Sequence, residues 1–205
     1  MALRRVGFQR IAGIDEAGRG ALAGPVVAAA VILPPDFPED GIDDSKRLSP
    51  AQRDTAYDRL MAGATAVGIG VVDNAEIDRI NILEATKQAM LQAVSALEPA
   101  PEFLLTDAVV LHSPLPLWAL IKGDRRALPI AAASIMAKVT RDRLMADYHR
   151  HDPRYNFALH KGYATPEHLT LLRAFGLCAI HRRTFRPVCD LHAEASRAPS
   201  VLHAE

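Results

Sequence analysis

The 205 residues of this chain include 24 Lys and Arg and 24 Asp and Glu, so the whole sequence carries no net charge at pH 7. An apolar share of 49% and a charged share of 23% are typical of a globular protein, and the length fits a single domain. With only two cysteines, the composition excludes a disulfide-rich scaffold, and the neutral balance excludes a uniformly basic nucleic-acid binder.

The charge is nevertheless unevenly distributed along the chain. Residues 34–107 hold 14 acids and 6 Lys or Arg, whereas residues 136–186 hold 10 Lys or Arg, 4 acids and five histidines. The second stretch predicts a basic platform, which favours a polyanionic partner. The sequence shows no signal peptide and no apolar run of membrane-spanning length, so we expect a cytoplasmic protein.

The first predicted elements are two strands, over residues 10–16 and 26–33. Both runs are apolar and rich in β-branched residues, and a glycine-rich turn joins them. Ser49 followed by Pro50 then predicts the start of a helix that ends near residue 61. A third strand is expected over residues 64–72.

The second half of the chain alternates between predicted helices and strands. Asn74 is expected to cap a short helix, and helical periodicity continues over the ranges 82–97, 129–148 and 166–175. Short apolar runs at 103–106 and 118–121 predict two more strands. This order predicts an α/β domain with a mixed sheet and a small C-terminal cap. The tail after Asp190 is expected to be poorly ordered.

Asp15 and Glu16 are the most informative residues of the sequence. They lie at the end of an apolar strand, where carboxylates are unfavourable unless a cation meets them, and a divalent metal is the usual cation. The turn Gly18-Arg19-Gly20 follows, and its glycines would allow a phosphate backbone to approach closely. Taken alone, the two acids fit an ordinary surface turn equally well.

Two further acids occupy candidate positions. Asp107 ends an apolar run, and sites in open α/β sheets gather at strand ends, although a turn-forming Asp is as frequent there. Asp142 lies four residues after Lys138 on the long predicted helix, so the pattern by itself favours a surface ion pair. Small residues around Ser134 at the beginning of this helix suit close packing.

The segment around Tyr163 predicts a stacking platform for a sugar or a base, with a tyrosine packed on its own loop as the alternative. The basic run at residues 181–186 is by default a solvated face. The chain contains no dinucleotide-binding fingerprint, phosphate loop or zinc-binding pattern.

These motifs, in this order, resemble the bacterial ribonuclease HII family. The resemblance covers about residues 10–188 and is carried by blocks separated along the chain: GIDEAGRG (13–20), GPV (24–26), DSKRL (44–48), IDRINIL (77–83), LLTD (104–107), KGD (122–124), AAASIMAKVTRD (131–142), HKGY (160–163) and HRRTF (181–185).

The resemblance implies a ribonuclease H-like fold, in which helices flank a mixed five-stranded sheet and a small helical extension follows. Residues 1–190 would form one catalytic domain, with the extension over about 150–190 and a disordered tail over 191–205. The implied activity is endonucleolytic hydrolysis of the RNA strand of RNA–DNA hybrids. It includes incision 5′ of single ribonucleotides in duplex DNA, by a monomer without membrane contact.

The family motif also implies a role for individual residues. The catalytic and metal-binding carboxylates map to Asp15, Glu16, Asp107 and Asp142, which would hold two Mg²⁺ or Mn²⁺ ions for a cleavage that leaves 3′-hydroxyl and 5′-phosphate ends. Substrate contacts map to Gly18, Arg19 and Gly20 at the ribose 2′-hydroxyl, Tyr163 on the following deoxyribose, Lys46 at a phosphate, and Ser134 and Lys138 nearby.

Two positions depart from the family pattern. Ala108 follows Asp107 and Ala164 follows Tyr163, where the family usually has glycine. Both residues are small, so we expect local backbone adjustment without loss of activity.

Two other functions fit parts of the sequence. A non-catalytic hybrid-binding protein with this fold would not need the complete set of four acids. A metal-dependent phosphatase for small molecules would leave the basic stretch and Tyr163 unexplained.

Overall fold

A mixed sheet forms the centre of the computed structural model, which describes residues 2–191. The strands are β1 (Ile11–Ala17), β2 (Val26–Ile32), β3 (Ala66–Val72), β4 (Phe103–Asp107) and β5 (Leu117–Leu120), in the spatial order β3-β2-β1-β4-β5. The first three strands pair antiparallel, β4 runs parallel to β1, and β5 runs parallel to β4. The predicted mixed five-stranded sheet is therefore confirmed.

Helices cover both faces of this sheet. They are α1 (Ala2–Arg5), α2 (Pro50–Gly63), α3 (Asn74–Ile80), α4 (Ile82–Ser95), α5 (Leu128–His151), α6 (Phe157–His160) and α7 (Pro166–Phe175), with 3-10 turns at Gly123–Arg125 and Pro153–Tyr155. Helices α3 and α4 pack on one face, and α2 and α5 pack on the other. None of the helices found within residues 2–191 is both long and apolar enough to cross a membrane.

Side-chain alternation along the central strands separates the two layers. On β2, Ala28 and Ala30 contribute to the core beneath α4, whereas Ala29 and Val31 contribute to the core beneath α5. A Cβ atom on Gly13 would overlap the backbone of Pro129. The missing side chain in β1 therefore allows the beginning of α5 to lie directly against the strand that carries the predicted acids.

The predicted start of α2 is confirmed, because Ser49 and Gln52 form a reciprocal capping box around Pro50. The predicted cap of α3 is wrong by one residue. Asp73 accepts the backbone N–H of Glu76, and Asn74 is already helical. The Asn74 side chain instead donates to backbone carbonyls of the C-terminal extension.

The C-terminal extension is held against α3 rather than left as a loose basic arm. The Asp78 carboxylate accepts the backbone N–H groups of Arg183 and Thr184 at 2.8 and 3.0 Å. His181 and Arg182 are buried, so the interpretation of this run as a solvated face is wrong for these two residues. Of the predicted disordered tail, residues 192–205 lie outside the described part of the chain.

Two histidines connect residues 178–181 to Tyr163 through a chain of hydrogen bonds. Nδ1 of His181 accepts the backbone N–H of Cys178 at 2.9 Å, so its Nε2–H must donate to Nε2 of His168 at 3.1 Å. Nδ1–H of His168 then donates to the Tyr163 carbonyl at 2.9 Å. Both rings are neutral in this arrangement. Burial, reinforced by the neighbouring His168, lowers the pKa of His181 to about 4.

This histidine network predicts that stability falls in mild acid. The folded-state pKa of His181 lies below the unfolded value of about 6.5, so its contribution is complete above that value and is lost as the pH falls toward 4. Between pH 7 and pH 5, we expect His181 to account for about 2 kcal/mol of the decrease in the free energy of unfolding. Urea titrations at both pH values would measure the decrease.

The matched variants for this experiment are His181→Gln and His112→Gln, because His112 is exposed. The first should flatten the pH dependence and the second should leave it unchanged. An equal pH dependence in the wild type and His181→Gln would contradict the role of the buried ring.

Ala108 and Ala164, at positions where the family usually has glycine, differ in backbone conformation. Ala108 has φ +58, in the left-handed region that disfavours a Cβ atom, whereas Ala164 is not among the residues with positive φ. We expect Ala108→Gly to raise the free energy of unfolding by about 1 kcal/mol. Ala164→Gly should instead be neutral or lower it by about 0.5–1 kcal/mol. Chemical denaturation of both variants measures the contrast, and a matching change at the two positions would refute it.

Candidate active site

The pairing of β1 with β4 brings two of the predicted acids to the same end of the sheet. Ile14 is the register partner of Thr106, so Asp15 and Asp107 are the next residues on two neighbouring parallel strands. Both line a cavity of about 540 Å³ at this end of the sheet. The register therefore explains why acids 92 positions apart in the sequence meet.

This cavity contains every predicted site residue except Asp142. Its lining combines carboxylates, a glycine turn, cations and one aromatic ring: Asp15, Glu16, Ala17, Gly18, Arg19, Gly20, Ser45, Lys46, Asp107, Ser134, Lys138 and Tyr163. Residues from five separate segments of the chain thus meet in one concave site.

Asp15 is the most deeply buried acid of the cavity, with 7% of its surface exposed. Burial, followed by repulsion from Glu16, raises the pKa of Asp15 well above its usual range. The Ser134 hydroxyl and the backbone N–H of Glu16 act in the opposite direction, and that N–H donates to Oδ1 at 2.8 Å. The site therefore holds closely spaced carboxylates, and a bound cation would reduce the repulsion between their negative charges.

Glu16 presents one satisfied and one unsatisfied oxygen. Oε1 accepts from the Arg19 guanidinium at 3.0 Å, whereas Oε2 is buried and has no hydrogen-bond partner among the residues described. Burial raises the pKa of Glu16 despite the opposing effect of Arg19. A buried carboxylate oxygen without a donor is suited to binding a cation.

Asp107 is oriented by a residue that sequence reasoning did not assign to the site. The backbone N–H of Gly123, in the short turn after β5, donates to Asp107 Oδ1 at 2.9 Å. The neighbouring Asp124 is also buried, and its burial together with Asp44 and Asp107 raises the pKa of Asp124. The KGD block was the available signal for both residues.

Asp44 and Arg125 are two further supporting residues that the sequence alone did not single out. The buried Asp44 carboxylate accepts the backbone N–H of Lys46 at 3.0 Å and the Arg125 guanidinium at 3.0 Å. Next to it, Ser45 Oγ lies 2.9 Å from Ser134 Oγ. These contacts fix the loop that carries the exposed Lys46 at the edge of the cavity.

Asp142 is placed on α5 but is not part of the cavity lining. Its Oδ1 lies 2.7 Å from Lys138 Nζ, so the ion pair expected from the helical spacing is present. Within residues 2–191, no cluster of three or more His, Cys, Asp or Glu side chains is arranged to hold a metal. Asp15, Glu16 and Asp107 share a cavity, and Asp142 is held next to it by a lysine.

The chemistry of these acids fits a divalent cation. The donors are carboxylate oxygens without thiol or imidazole, which Mg²⁺ and Mn²⁺ prefer. The unpartnered Glu16 Oε2 and the raised pKa of Asp15 both point to missing positive charge. Asp142 does not line this cavity, and its Oδ1 is paired with Lys138, which does.

Tyr163 lines the same cavity as the glycine turn. The Gly162 carbonyl accepts the backbone N–H of Leu22 at 2.8 Å, which ties the tyrosine loop to the segment after Gly20. The centre of the Arg141 guanidinium lies 5.2 Å from the centroid of the Tyr163 ring, and Lys138 Nζ lies 5.7 Å from it. The half-buried ring is thus supported by cations.

Comparison with known proteins agrees with this arrangement. The family model described as ribonuclease HII matches residues 12–188. Ribonuclease HII of Geobacillus thermodenitrificans (strain NG80-2) is 58% identical over 186 residues, which cover 91% of this chain and 72% of that relative.

Solved structures show the same fold. Ribonuclease H2 from Pyrococcus horikoshii OT3 has a TM-score of 0.79 at 25% identity and covers 92% of this chain and 99% of that one. Bst-RNase HIII, crystallised in complex with Mn²⁺, has a TM-score of 0.72 at 21% identity and covers 96% of this chain and 73% of that one, a likeness of fold alone. On this basis the chain belongs to the ribonuclease HII family and is an endonuclease of the ribonuclease H type.

Proposed function

We propose that this enzyme hydrolyses the RNA strand of RNA–DNA hybrids and also incises 5′ of single ribonucleotides embedded in duplex DNA. Cleavage would use a two-ion site for Mg²⁺ or Mn²⁺ and leave 3′-hydroxyl and 5′-phosphate ends. The observation that carries this proposal is the meeting of three carboxylates, the Gly18-Arg19-Gly20 turn and Tyr163 in one cavity.

Asp15, Glu16 and Asp107 would hold the metal, and Asp142, on α5 beside the cavity, would complete the ligand set. Bound divalent ions would neutralise the carboxylates, polarise a phosphate oxygen and lower the pKa of a bound water. The protein itself orients the ligands: Gly123 holds Asp107, and Arg19 holds one oxygen of Glu16. Lys138, whose Nζ lies 5.7 Å from the centroid of the Tyr163 ring, would contact a phosphate.

Recognition of RNA requires groups that detect the ribose 2′-hydroxyl, which both donates and accepts hydrogen bonds. The Gly18-Arg19-Gly20 turn offers backbone groups at the cavity without bulky side chains at Gly18 and Gly20. Loss of the hydroxyl would leave those groups unpaired, at about 1–3 kcal/mol per group. Tyr163 offers a ring face for the following sugar, and Lys46 offers a phosphate contact without reading sequence.

The direct test uses a duplex DNA that contains one ribonucleotide and is labelled at one end. The expected result is a single cut 5′ of the ribonucleotide, with a 3′-hydroxyl on the upstream fragment, that requires Mg²⁺ or Mn²⁺ and stops with chelator. Cleavage in chelator, or no cut at the ribonucleotide despite cleavage of a long hybrid, would overturn the corresponding part of the proposal.

Asp15→Asn tests the metal-binding role. Removing a charged ligand should reduce kcat by about 10²-fold or more, because charge stabilisation at the reacting centre is lost. In chelator, the same variant should be more stable than the wild type, because it removes a buried negative charge next to Glu16. Steady-state cleavage and urea unfolding measure the two effects.

Asp36→Asn is the matched control, since Asp36 is exposed and does not line the cavity. It should change neither quantity. Turnover near the wild-type level in Asp15→Asn would remove this carboxylate from the catalytic set.

Tyr163→Ala and Tyr163→Phe test the junction contact. Loss of the ring should lower kcat/KM on a single ribonucleotide about tenfold, the size of one lost stacking contact, and should lower it less within a long hybrid. Phe keeps the ring face and should retain most of the activity on both substrates. If Ala reduced cleavage of the two substrates by the same factor, Tyr163 would not read the junction.

A further inference from the structure

Arg182 is fully buried, and its guanidinium holds the glycine turn from behind. It donates to three backbone carbonyls: Gly24 at 3.0 Å, Arg19 at 2.9 Å and Gly18 at 2.8 Å. The carbonyl dipoles of Gly18 and Arg19 therefore point to a cation in the protein interior. They are not available to repel a phosphate in the cavity.

Arg141 is also fully buried and joins residues 23–25, which follow the glycine turn, to the tyrosine loop. It donates to the carbonyls of Pro25 at 2.9 Å and Ala23 at 3.0 Å, and also to the carbonyl of Lys161 at 2.9 Å. One planar guanidinium thus bridges the segment that follows the glycine turn and the loop that carries the proposed sugar contact. Its centre also lies 5.2 Å from the Tyr163 ring.

The backbone around these arginines is shaped to admit them. Gly18 has φ +96, and a Cβ atom there would overlap Nε of Arg141. The backbone N–H of Arg182 itself donates to the Leu22 carbonyl at 2.8 Å. Side chain and main chain of the extension therefore hold residues 18–25 together.

Placing two guanidinium groups in the interior is energetically unfavourable. Burial, with the nearby positive charge of Arg141, lowers the pKa of Arg182 to about 9. Well-packed apolar side chains often replace buried charged groups without loss of stability. The fixed fork of donors on each arginine supplies what apolar side chains do not: simultaneous fixation of several carbonyls in one geometry.

We propose that Arg141 and Arg182 are positioning residues that hold the Gly18-Arg19-Gly20 turn at a fixed distance from Tyr163, and that this spacing sets the preference for a single ribonucleotide followed by DNA. This inference rests on the proposed function. A lone ribonucleotide can be cleaved in only one alignment on the enzyme, in which the turn contacts its 2′-hydroxyl while Tyr163 contacts the next sugar. A long hybrid offers many registers, so it tolerates a displaced turn.

The test compares Arg182→Lys and Arg141→Lys with the wild type on two duplexes, one with a single ribonucleotide and one with a continuous RNA segment. Lysine keeps the charge but lacks the planar fork of donors. We expect kcat/KM to fall about tenfold on the single ribonucleotide, mainly through kcat, and at most about threefold on the continuous segment.

Leu60→Ala is the matched control for lost stability, because Leu60 is a fully buried residue of α2 and does not line the cavity. It should leave the ratio of the two activities unchanged at a temperature where all variants are folded. Equal losses on both substrates in the arginine variants, or the same change of ratio in Leu60→Ala, would overturn the inference. Failure of the wild type to cut at the single ribonucleotide would instead refute the proposed function.

Hydrogen exchange gives a readout that does not depend on activity. In the wild type, the amides of Leu22 and Gly24 should exchange as slowly as those of β1, because they donate to the Gly162 and Ile180 carbonyls. Arg182→Lys should accelerate exchange at these two amides and leave β3 unchanged. Rapid exchange of Leu22 and Gly24 in the wild type would refute the proposed fixation, even if neither arginine variant folds.

Discussion

Unbalanced negative charge at the carboxyl end of β1 is the constraint on which the rest of the site depends. Asp15 is buried beside Glu16 and one strand away from Asp107, and the protein supplies only partial compensation through Arg19 and Ser134. An arrangement of this kind is stable in isolation only at the expense of raised carboxyl pKa values. The surrounding loops therefore serve two purposes: they keep the acids fixed, and they leave access for a cation and a polyanion.

The rigid part of the fold explains how the acids are fixed. Gly13 allows α5 to lie against β1, so Ser134 reaches the cavity from the helix above the strand. Gly123 holds Asp107 from the turn after β5, and Asp44 holds the Lys46 loop. Each contact uses a backbone N–H or a buried side chain, and these move less than exposed long side chains.

Local sequence patterns were enough to predict the strands, the Ser49 cap and the acids at strand ends. The periodicity of apolar residues and the hydrogen bonds of a helix cap each depend on only a few neighbouring residues. Local patterns predicted the ion pair of Asp142 with Lys138, but they could not predict that Asp142 does not line the cavity. That position depends on the path of α5 through the fold. Local patterns also failed for His181 and Arg182. Polarity alone predicts exposure, whereas their burial depends on carbonyls and rings contributed by distant segments.

The contact between Arg182 and Gly18 spans 164 positions of the chain. Contacts of such long range form late, because the entropy of closing the intervening loop must be overcome first. All five strands and the acids of β1 precede residue 182 in the chain. The glycine turn thus receives its buried cation only after these strands have been synthesised, so a nascent chain would carry its carboxylates before the turn beside them is fixed.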